Sequence, residues 1–185
     1  QSHIDSLKRD LSYSTEDTNK VKTLNRLGLA YAWSIPDTGM IYASEALDLA
    51  KKLKWDFVEF IAYVIMGNCL VTLGNYPMAL DYLFKTLSYY EKPTSRQGIE
   101  SVYGALSLAY RDMGDYRQSL NYLWKWMYRE GTRVNHFLLG NLSSVYAKNN
   151  QPEKAKIAFE KAIKYYKVAK TNYLLADVYI FSSEF

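Results

Sequence analysis

The chain has 185 residues, of which 49% are hydrophobic and 23% are charged, and its formal net charge is +4. This composition is typical of a soluble globular protein and excludes a disordered or fibrous chain. The most apolar run, Phe60 to Leu73, contains Asn68 and Thr72 and is too short to span a membrane. The single cysteine, Cys69, excludes a disulfide framework and is expected to pack as a small hydrophobic residue rather than act as a nucleophile.

Apolar residues recur at helical spacing along the chain, and short breaks separate ten predicted helices. The breaks contain glycine, proline or helix-capping residues, as in Gly74-Asn75, Gly131-Thr132 and Asn150 to Glu153. No strand is predicted. In chain order the predicted helices cover residues 3–12, 16–33, 37–53, 56–73, 76–91, 95–113, 116–129, 133–148, 152–167 and 171–184.

One twelve-residue stretch occurs in two similar copies. GNYPMALDYLFK begins at Gly74 and GDYRQSLNYLWK begins at Gly114, so the two copies lie forty residues apart. Each copy opens with a helix-ending glycine, and an apolar stripe at helical spacing follows it. The repeated unit is therefore a helical hairpin, and one hairpin needs a similar neighbour to bury its apolar stripe.

The same frame extends over most of the chain. A small residue in the first helix of each unit allows close helix packing, and three positions later comes an aromatic residue or, once, a leucine. The small residues are Gly28, Gly67, Ser107, Ser143 and Ala176, and the later ones are Tyr31, Leu70, Tyr110, Tyr146 and Tyr179. The first unit is irregular, because Trp33 to Pro36 replaces the glycine turn, with Asp37 as the expected cap of the next helix and Gly39 as its small residue.

These residues resemble the tetratricopeptide repeat (TPR) pattern over about residues 20–185. The match rests on Leu27-Gly28 with Tyr31, Gly74 with Tyr76 and Ala79, Gly114 with Tyr116, and Leu142 with Tyr146, Ala155, Phe159 and Ala162. The resemblance implies an all-α, right-handed superhelical solenoid of antiparallel helix hairpins. We expect a single domain over residues 1–185, with an N-terminal helix in 1–15, hairpins at about 16–53, 56–91, 95–129 and 133–167, and the first helix of a fifth hairpin in 171–185.

The sequence predicts little chemistry of its own. His3 and His136 have no partner at metal-ligand spacing, and no phosphate loop, nucleophile elbow or kinase signature occurs. We therefore predict no metal, no cofactor and no catalytic residue; an enzyme would need a site between repeats, from residues such as Tyr110, Arg111 and Asp112. Six lysines and two glutamates in residues 153–170 indicate a solvated helix face rather than a nucleic-acid site.

The TPR resemblance implies a concave surface lined by the first helix of each hairpin. A clamp for a peptide carboxylate is not predicted, because its positions hold Leu29, Ile65 and Ser101. Trp124 and Trp126 lie two apart on one predicted helix, so they face different ways and one of them is a candidate contact residue. The candidate partner-binding residues are Asn25, Leu29, Trp33, Asn68, Thr72, Leu108, Arg111, Asp112, Ser144, Lys148, Tyr173 and Asp177.

The opening of the chain carries a second resemblance. Ile4 to Leu7, Glu16 to Val21 and Leu24 to Leu27 are similar to the start of extracytoplasmic TPR regions in Bacteroidetes-type sensor histidine kinases and related regulators. This implies a non-enzymatic protein or peptide interaction module that senses or scaffolds within a larger signal-transduction protein, in the periplasm. The alternative is a cytoplasmic adaptor or co-chaperone that binds a peptide in its groove. The expected partner is a protein, a peptide or another copy of the chain, with no nucleic acid and no membrane insertion.

Overall fold

The computed structural model describes residues 3–90, 98–128 and 135–169, with side chains described as far as residue 165. Within these residues the chain is all-α and contains no strand, as predicted. The helices are α1 (His3–Ser12), α2 (Thr18–Tyr31), α3 (Pro36–Lys52), α4 (Asp56–Thr72), α5 (Tyr76–Tyr90), α6 (Ile99–Asp112), α7 (Tyr116–Met127), α8 (His136–Lys148) and α9 (Pro152–Ala169). The predicted helix at 171–184 lies outside the described residues.

Each helix packs mainly on its neighbour in the chain. α1 packs on α2, and α2, α3, α4 and α5 pack in succession, while α7 packs on α8 and α8 on α9. α2 also packs on α4, which brings together the first helices of two successive hairpins. The chain divides into two compact units, residues 1–105 and 106–185, which are described separately below.

Four of the turns share one helix-ending motif. The second residue after the helix adopts a positive φ, and the next N–H donates to the carbonyl five residues back, which satisfies a carbonyl that the helix leaves free. These N–H to O distances are 2.8 to 2.9 Å for Trp55 to Ala50, Asn75 to Leu70, Asp115 to Tyr110, and Gln151 to Tyr146. The positive-φ residues are Lys54, Gly74, Gly114 and Asn150.

The turn between α2 and α3 is different, as the sequence indicated, but the predicted cap is wrong. α3 begins at Pro36 and its N-cap residue is Ile35, which makes no side-chain capping bond. Proline fixes the first helical φ and has no N–H to satisfy, so Asp37 lies inside the first turn, where its charge favours the helix dipole. The start of α2 was also misplaced, because Asp17 caps it by accepting the N–H groups of Asn19 and Lys20 at 2.8 and 3.1 Å.

Small residues hold the two helices of each hairpin close together. A Cβ added to Gly39 would lie 2.8 Å from Cys69 Sγ and 3.0 Å from the Gly28 carbonyl oxygen, so no side chain fits between α2 and α3 at that point. In α6 and α7 the contact is polar, since Ser119 Oγ donates to the Ser107 carbonyl at 2.8 Å. Ser143 Oγ of α8 likewise donates to the Ala155 carbonyl of α9 at 2.9 Å.

Candidate partner-binding surface

Two asparagines in the first unit are buried without the hydrogen bonds that burial demands. Asn25 of α2 is 5% exposed and Asn68 of α4 is 7% exposed. Neither amide atom of Asn25, nor Oδ1 of Asn68, has a hydrogen-bond partner among the described residues. A buried amide atom left unsatisfied costs about 1–3 kcal/mol, so these side chains are a local cost to the stability of the first unit.

Apolar side chains accompany these amides on the same helix faces. Leu29 follows Asn25 at i+4 on α2 and is 49% exposed, and Trp33, in the turn just after α2, is 48% exposed. On α4, Thr72 follows Asn68 at i+4, is exposed, and donates its hydroxyl to the Asn68 carbonyl at 3.1 Å. Because α2 packs on α4, we treat these residues as one surface, the asparagine face, made of Asn25, Leu29, Trp33, Asn68 and Thr72.

In the second unit the predicted contact residues bind one another. The Arg111 guanidinium forms a two-pronged ion pair with Asp112, with Nε to Oδ1 at 2.7 Å and Nη2 to Oδ2 at 2.9 Å. Its Nη1 donates to Ser144 Oγ of α8 at 3.0 Å, and Arg111 is only 9% exposed. This cluster, the arginine clamp, joins α6 to α8, and its charges are already compensated.

The remaining candidate residues are scattered. Leu108 is 7% exposed and lies within the packing of α6, whereas Lys148 is exposed at the end of α8. Tyr173 and Asp177 lie outside the described residues. The structure therefore brings together five candidates on the asparagine face and three in the arginine clamp.

The aromatic residues mostly serve packing, as the repeat register indicates. Tyr110 stacks on Tyr122 with ring centroids 5.7 Å apart, and burial, followed by the nearby Asp115 carboxylate, raises the pKa of Tyr110. With Arg111 already paired to Asp112, the residues that an enzymatic site would need are engaged in structure. The two neighbouring tryptophans do face different ways: Trp126 is 7% exposed and Trp124 is 45% exposed.

A surface cavity of about 400 Å³ in the second unit was not predicted. It lies where the α6–α7 turn and the first turns of α7 approach the end of α8. Trp124 was the only signal in the sequence that pointed to it, because Asn149 joins the site through tertiary packing alone. The residues that define this turn cavity are Asp115, Tyr116, Arg117, Leu120, Trp124 and Asn149.

These features define a TPR-type protein, built from packed helix hairpins. The chain belongs to the family described as the SusR N-terminal TPR domain, which matches residues 1–181. As a TPR domain it is a protein-interaction module. No curated protein matches the chain significantly.

Solved structures show the same fold at low sequence identity. A Rap protein crystallised in complex with Competence and Sporulation Factor matches with a TM-score of 0.77 and 21% identity, over 95% of this chain and 51% of that one. BtubC (BKLC) from P. vanneervenii matches with a TM-score of 0.57 and 17% identity, over 91% of this chain and 72% of that one. The chain thus spans about half the length of the Rap protein. None of the described helices has the length and apolar character that a bilayer crossing requires.

Proposed function

We propose that the chain is the sensing or scaffolding region of a larger bacterial signal-transduction protein, and that it binds an extended peptide segment on the asparagine face. The observation that carries this proposal is the pair of buried, unsatisfied amides of Asn25 and Asn68. An asparagine amide donates and accepts, so on binding the side chains turn outward from their buried positions and complete both hydrogen bonds of a peptide group in an extended segment. Leu29 on α2 and Trp33 in the turn that follows it are half exposed and offer apolar contact to the side chains of that segment.

The wider role is supported by the family to which the chain belongs, which is described as the N-terminal domain of SusR. The Rap protein that shares the fold was solved in complex with Competence and Sporulation Factor, which supports a signal-binding role for this one. We place the domain outside the cytoplasm, on its similarity to extracytoplasmic TPR regions of sensor proteins. The alternative is a cytoplasmic adaptor that holds a partner peptide on the same face.

Replacement of the asparagines by leucine tests the binding surface. Asn25→Leu and Asn68→Leu each remove an unsatisfied buried amide and keep the side-chain size, so we expect equal or higher melting temperatures together with a loss of partner capture. Capture is measured in the source cells with a photo-crosslinking amino acid at Trp33, and with the same group at the exposed Ile41 of α3 as the matched control. Unchanged crosslinking from Trp33 in both leucine variants would refute the asparagine face as the binding surface.

The compartment is tested with a cysteine introduced on the surface. Native Cys69 is fully buried and burial raises the pKa of its thiol to about 11, so it contributes little background labelling. Ser44 is exposed on α3, and in intact cells a Ser44→Cys variant should react with a small maleimide that does not cross the inner membrane. Labelling only after lysis would instead support the cytoplasmic adaptor.

A further inference from the structure

The turn cavity lies outside the set of residues that the asparagine face and the arginine clamp use. It is built on one face of α7, because Arg117, Leu120 and Trp124 follow one another at i, i+3 and i+7. Tyr116 at the start of α7 and Asn149 at the end of α8 complete its walls. A volume of about 400 Å³ lies at the lower end of ligand-pocket sizes, which suits one or two side chains of a partner rather than a large cofactor.

The floor of the cavity is apolar and its most prominent member is a tryptophan. Leu120 is 9% exposed and Tyr116 is half-buried, whereas Trp124 is 45% exposed. Trp126, only two residues away, is the tryptophan that is buried in the packing of this unit. The exposed ring of Trp124 is therefore left open to a ligand. Tryptophan, tyrosine and arginine around one concavity are the residues that contribute most to binding energy in protein interfaces.

Two charged residues line the cavity, Arg117 and Asp115. Arg117 is exposed and has no ion pair or hydrogen bond among the described residues. Asp115, the acidic residue of the cavity, is used as the N-cap of α7, where its Oδ1 accepts the Gln118 N–H at 3.0 Å. In residues 106–128 and 135–165 there are eight Lys and Arg side chains against four Asp and Glu side chains. Because the Asp115 carboxylate is engaged at the N-cap, the exposed Arg117 and the excess of positive charge over the described part of this unit favour an acidic ligand.

We infer that the turn cavity is a docking site for an acidic peptide segment of a protein partner, distinct from the asparagine face. An aromatic or large aliphatic side chain of that segment lies against Trp124 and Leu120, and a neighbouring carboxylate pairs with the Arg117 guanidinium. Asn149 is placed to hydrogen-bond the peptide backbone. Nucleic acid fits the site less well, because the cavity has one arginine and no row of cations at phosphate spacing.

The test follows the indole N–H signal of Trp124 in the ¹⁵N-labelled chain, assigned by its loss in Trp124→Phe. The probes are the peptides acetyl-Glu-Glu-Phe-Glu-amide and acetyl-Lys-Lys-Phe-Lys-amide. We expect the acidic peptide to shift the Trp124 indole signal with saturable, roughly millimolar affinity, and the basic peptide to leave it unchanged. Arg117→Gln should weaken the binding of the acidic peptide about two- to fivefold, which is the size of a lost exposed ion pair.

Lys156→Gln is the matched control, because it removes one exposed positive charge of the same unit from α9 and Lys156 does not line the cavity. We expect it to change the affinity less than twofold. The inference is overturned if the acidic peptide leaves the Trp124 signal unshifted at 10 mM, if both peptides bind alike, or if the two charge variants weaken binding equally. A short oligonucleotide, dT8, that shifts the same signal more strongly than the acidic peptide also overturns it.

Discussion

At the scale of the residue, the four hairpins solve one packing problem in different ways. Gly28 and Gly39 let the backbones of α2 and α3 meet, whereas Ser107 and Ser119 place two hydroxyls 2.9 Å apart between α6 and α7. A glycine leaves no polar group to satisfy, and a serine needs the partner that the hairpin supplies. The same repeat position therefore holds its two helices together by close backbone packing where it is glycine and by hydrogen bonds where it is serine.

Two glycine substitutions should have opposite effects on stability. In Gly39→Ala the new Cβ meets backbone atoms of α2 and the sulfur of Cys69 at 2.8 to 3.2 Å, and we expect a loss of about 1–2 kcal/mol. Gly140 in α8 has no atom within 4 Å of an added Cβ, so Gly140→Ala should stabilise by about 0.5–1 kcal/mol through helix propensity. Urea unfolding of both variants measures the difference, and a stabilising Gly39→Ala would contradict the tight contact.

The buried thiol makes stability depend on alkaline pH. Burial raises the pKa of Cys69 from its ordinary 9.0 to about 11, so the unfolded chain loses this proton first and stability falls as the pH rises from about 9 to 11. The full effect corresponds to roughly 2–3 kcal/mol and is complete only above the folded pKa. We expect Cys69→Ala to show a shallower fall over this range in urea unfolding at stepped pH.

Tyr90 serves as the internal reference for that experiment. Burial, aided by Tyr89 and Glu100, raises the pKa of Tyr90 to about 12, so its own contribution is retained in the Cys69→Ala variant and continues above pH 10. The stabilities of the parent chain and of the Cys69→Ala variant should therefore differ chiefly between pH 9 and 11. Identical slopes over that range would show that the thiol is not held neutral in the folded chain.

At the scale of the element, the sequence predicted which residues separate the helices better than where each helix starts. Gly74 and Gly114 indicate turns in the sequence because glycine tolerates a positive φ, and both turns lie where the repeat pattern predicts them. Lys54 and Asn150 adopt the same conformation with φ of 53°, and a lysine gives no such signal. The cap at Asp17 was missed because the apolar stripe alone set the predicted boundary, whereas the side-chain bond to the backbone sets the real one.

The arginine clamp was predicted by position but not by role. Repeat register placed Arg111, Asp112 and Ser144 on the binding side of their helices. Whether they face a ligand or one another depends on the spacing of α6 and α8, which a sequence pattern does not contain. The same limit applies to Asn25 and Asn68, because their burial depends on the neighbouring helices and not on their positions in the repeat.

Replacing Asp112 should lower the free energy of unfolding more than replacing Arg111 does. Asp112→Ala leaves a guanidinium whose side chain is 10% exposed with only the Ser144 hydroxyl, and we expect a cost of about 2 kcal/mol. Arg111→Met removes the charge and keeps the length, which leaves Asp112 partly solvated, so about 1 kcal/mol is expected. The double variant should recover part of the loss, as measured by urea unfolding.

This ordering separates a structural clamp from a free binding residue. If Arg111 were held open for a ligand, its replacement would be neutral for stability and Asp112→Ala would be nearly so. Equal costs for the two single variants with strict additivity in the double variant would mean that the ion pair does not connect α6 to α8.

At the scale of the whole chain, the repeat is the signal that the sequence carries most strongly. A period of thirty-three to forty residues involves every hairpin, so a local irregularity such as the Trp33 to Pro36 turn does not obscure it. The TPR fold was predictable for that reason and is confirmed by the family match over residues 1–181. The repeat pattern does not indicate the partner, because recognition depends on the few side chains that depart from the repeat.

Packing that joins neighbours in the chain should give each hairpin its own stability. In the first unit α3 packs on α2 and α4, whereas α5 packs on α4. In a repeat array, stability is approximately a sum of repeat terms and nearest-neighbour terms, so damage in one hairpin spreads with decreasing effect. We expect Gly39→Ala, whose new Cβ meets α2 and the Cys69 sulfur of α4, to accelerate native-state amide hydrogen exchange most in α2, α3 and α4 and least in α5. Ser44→Ala, on the exposed side of α3, is the control and should leave these rates within twofold of the parent chain. An equal acceleration from α2 through α5 would mean that the unit opens as one cooperative block.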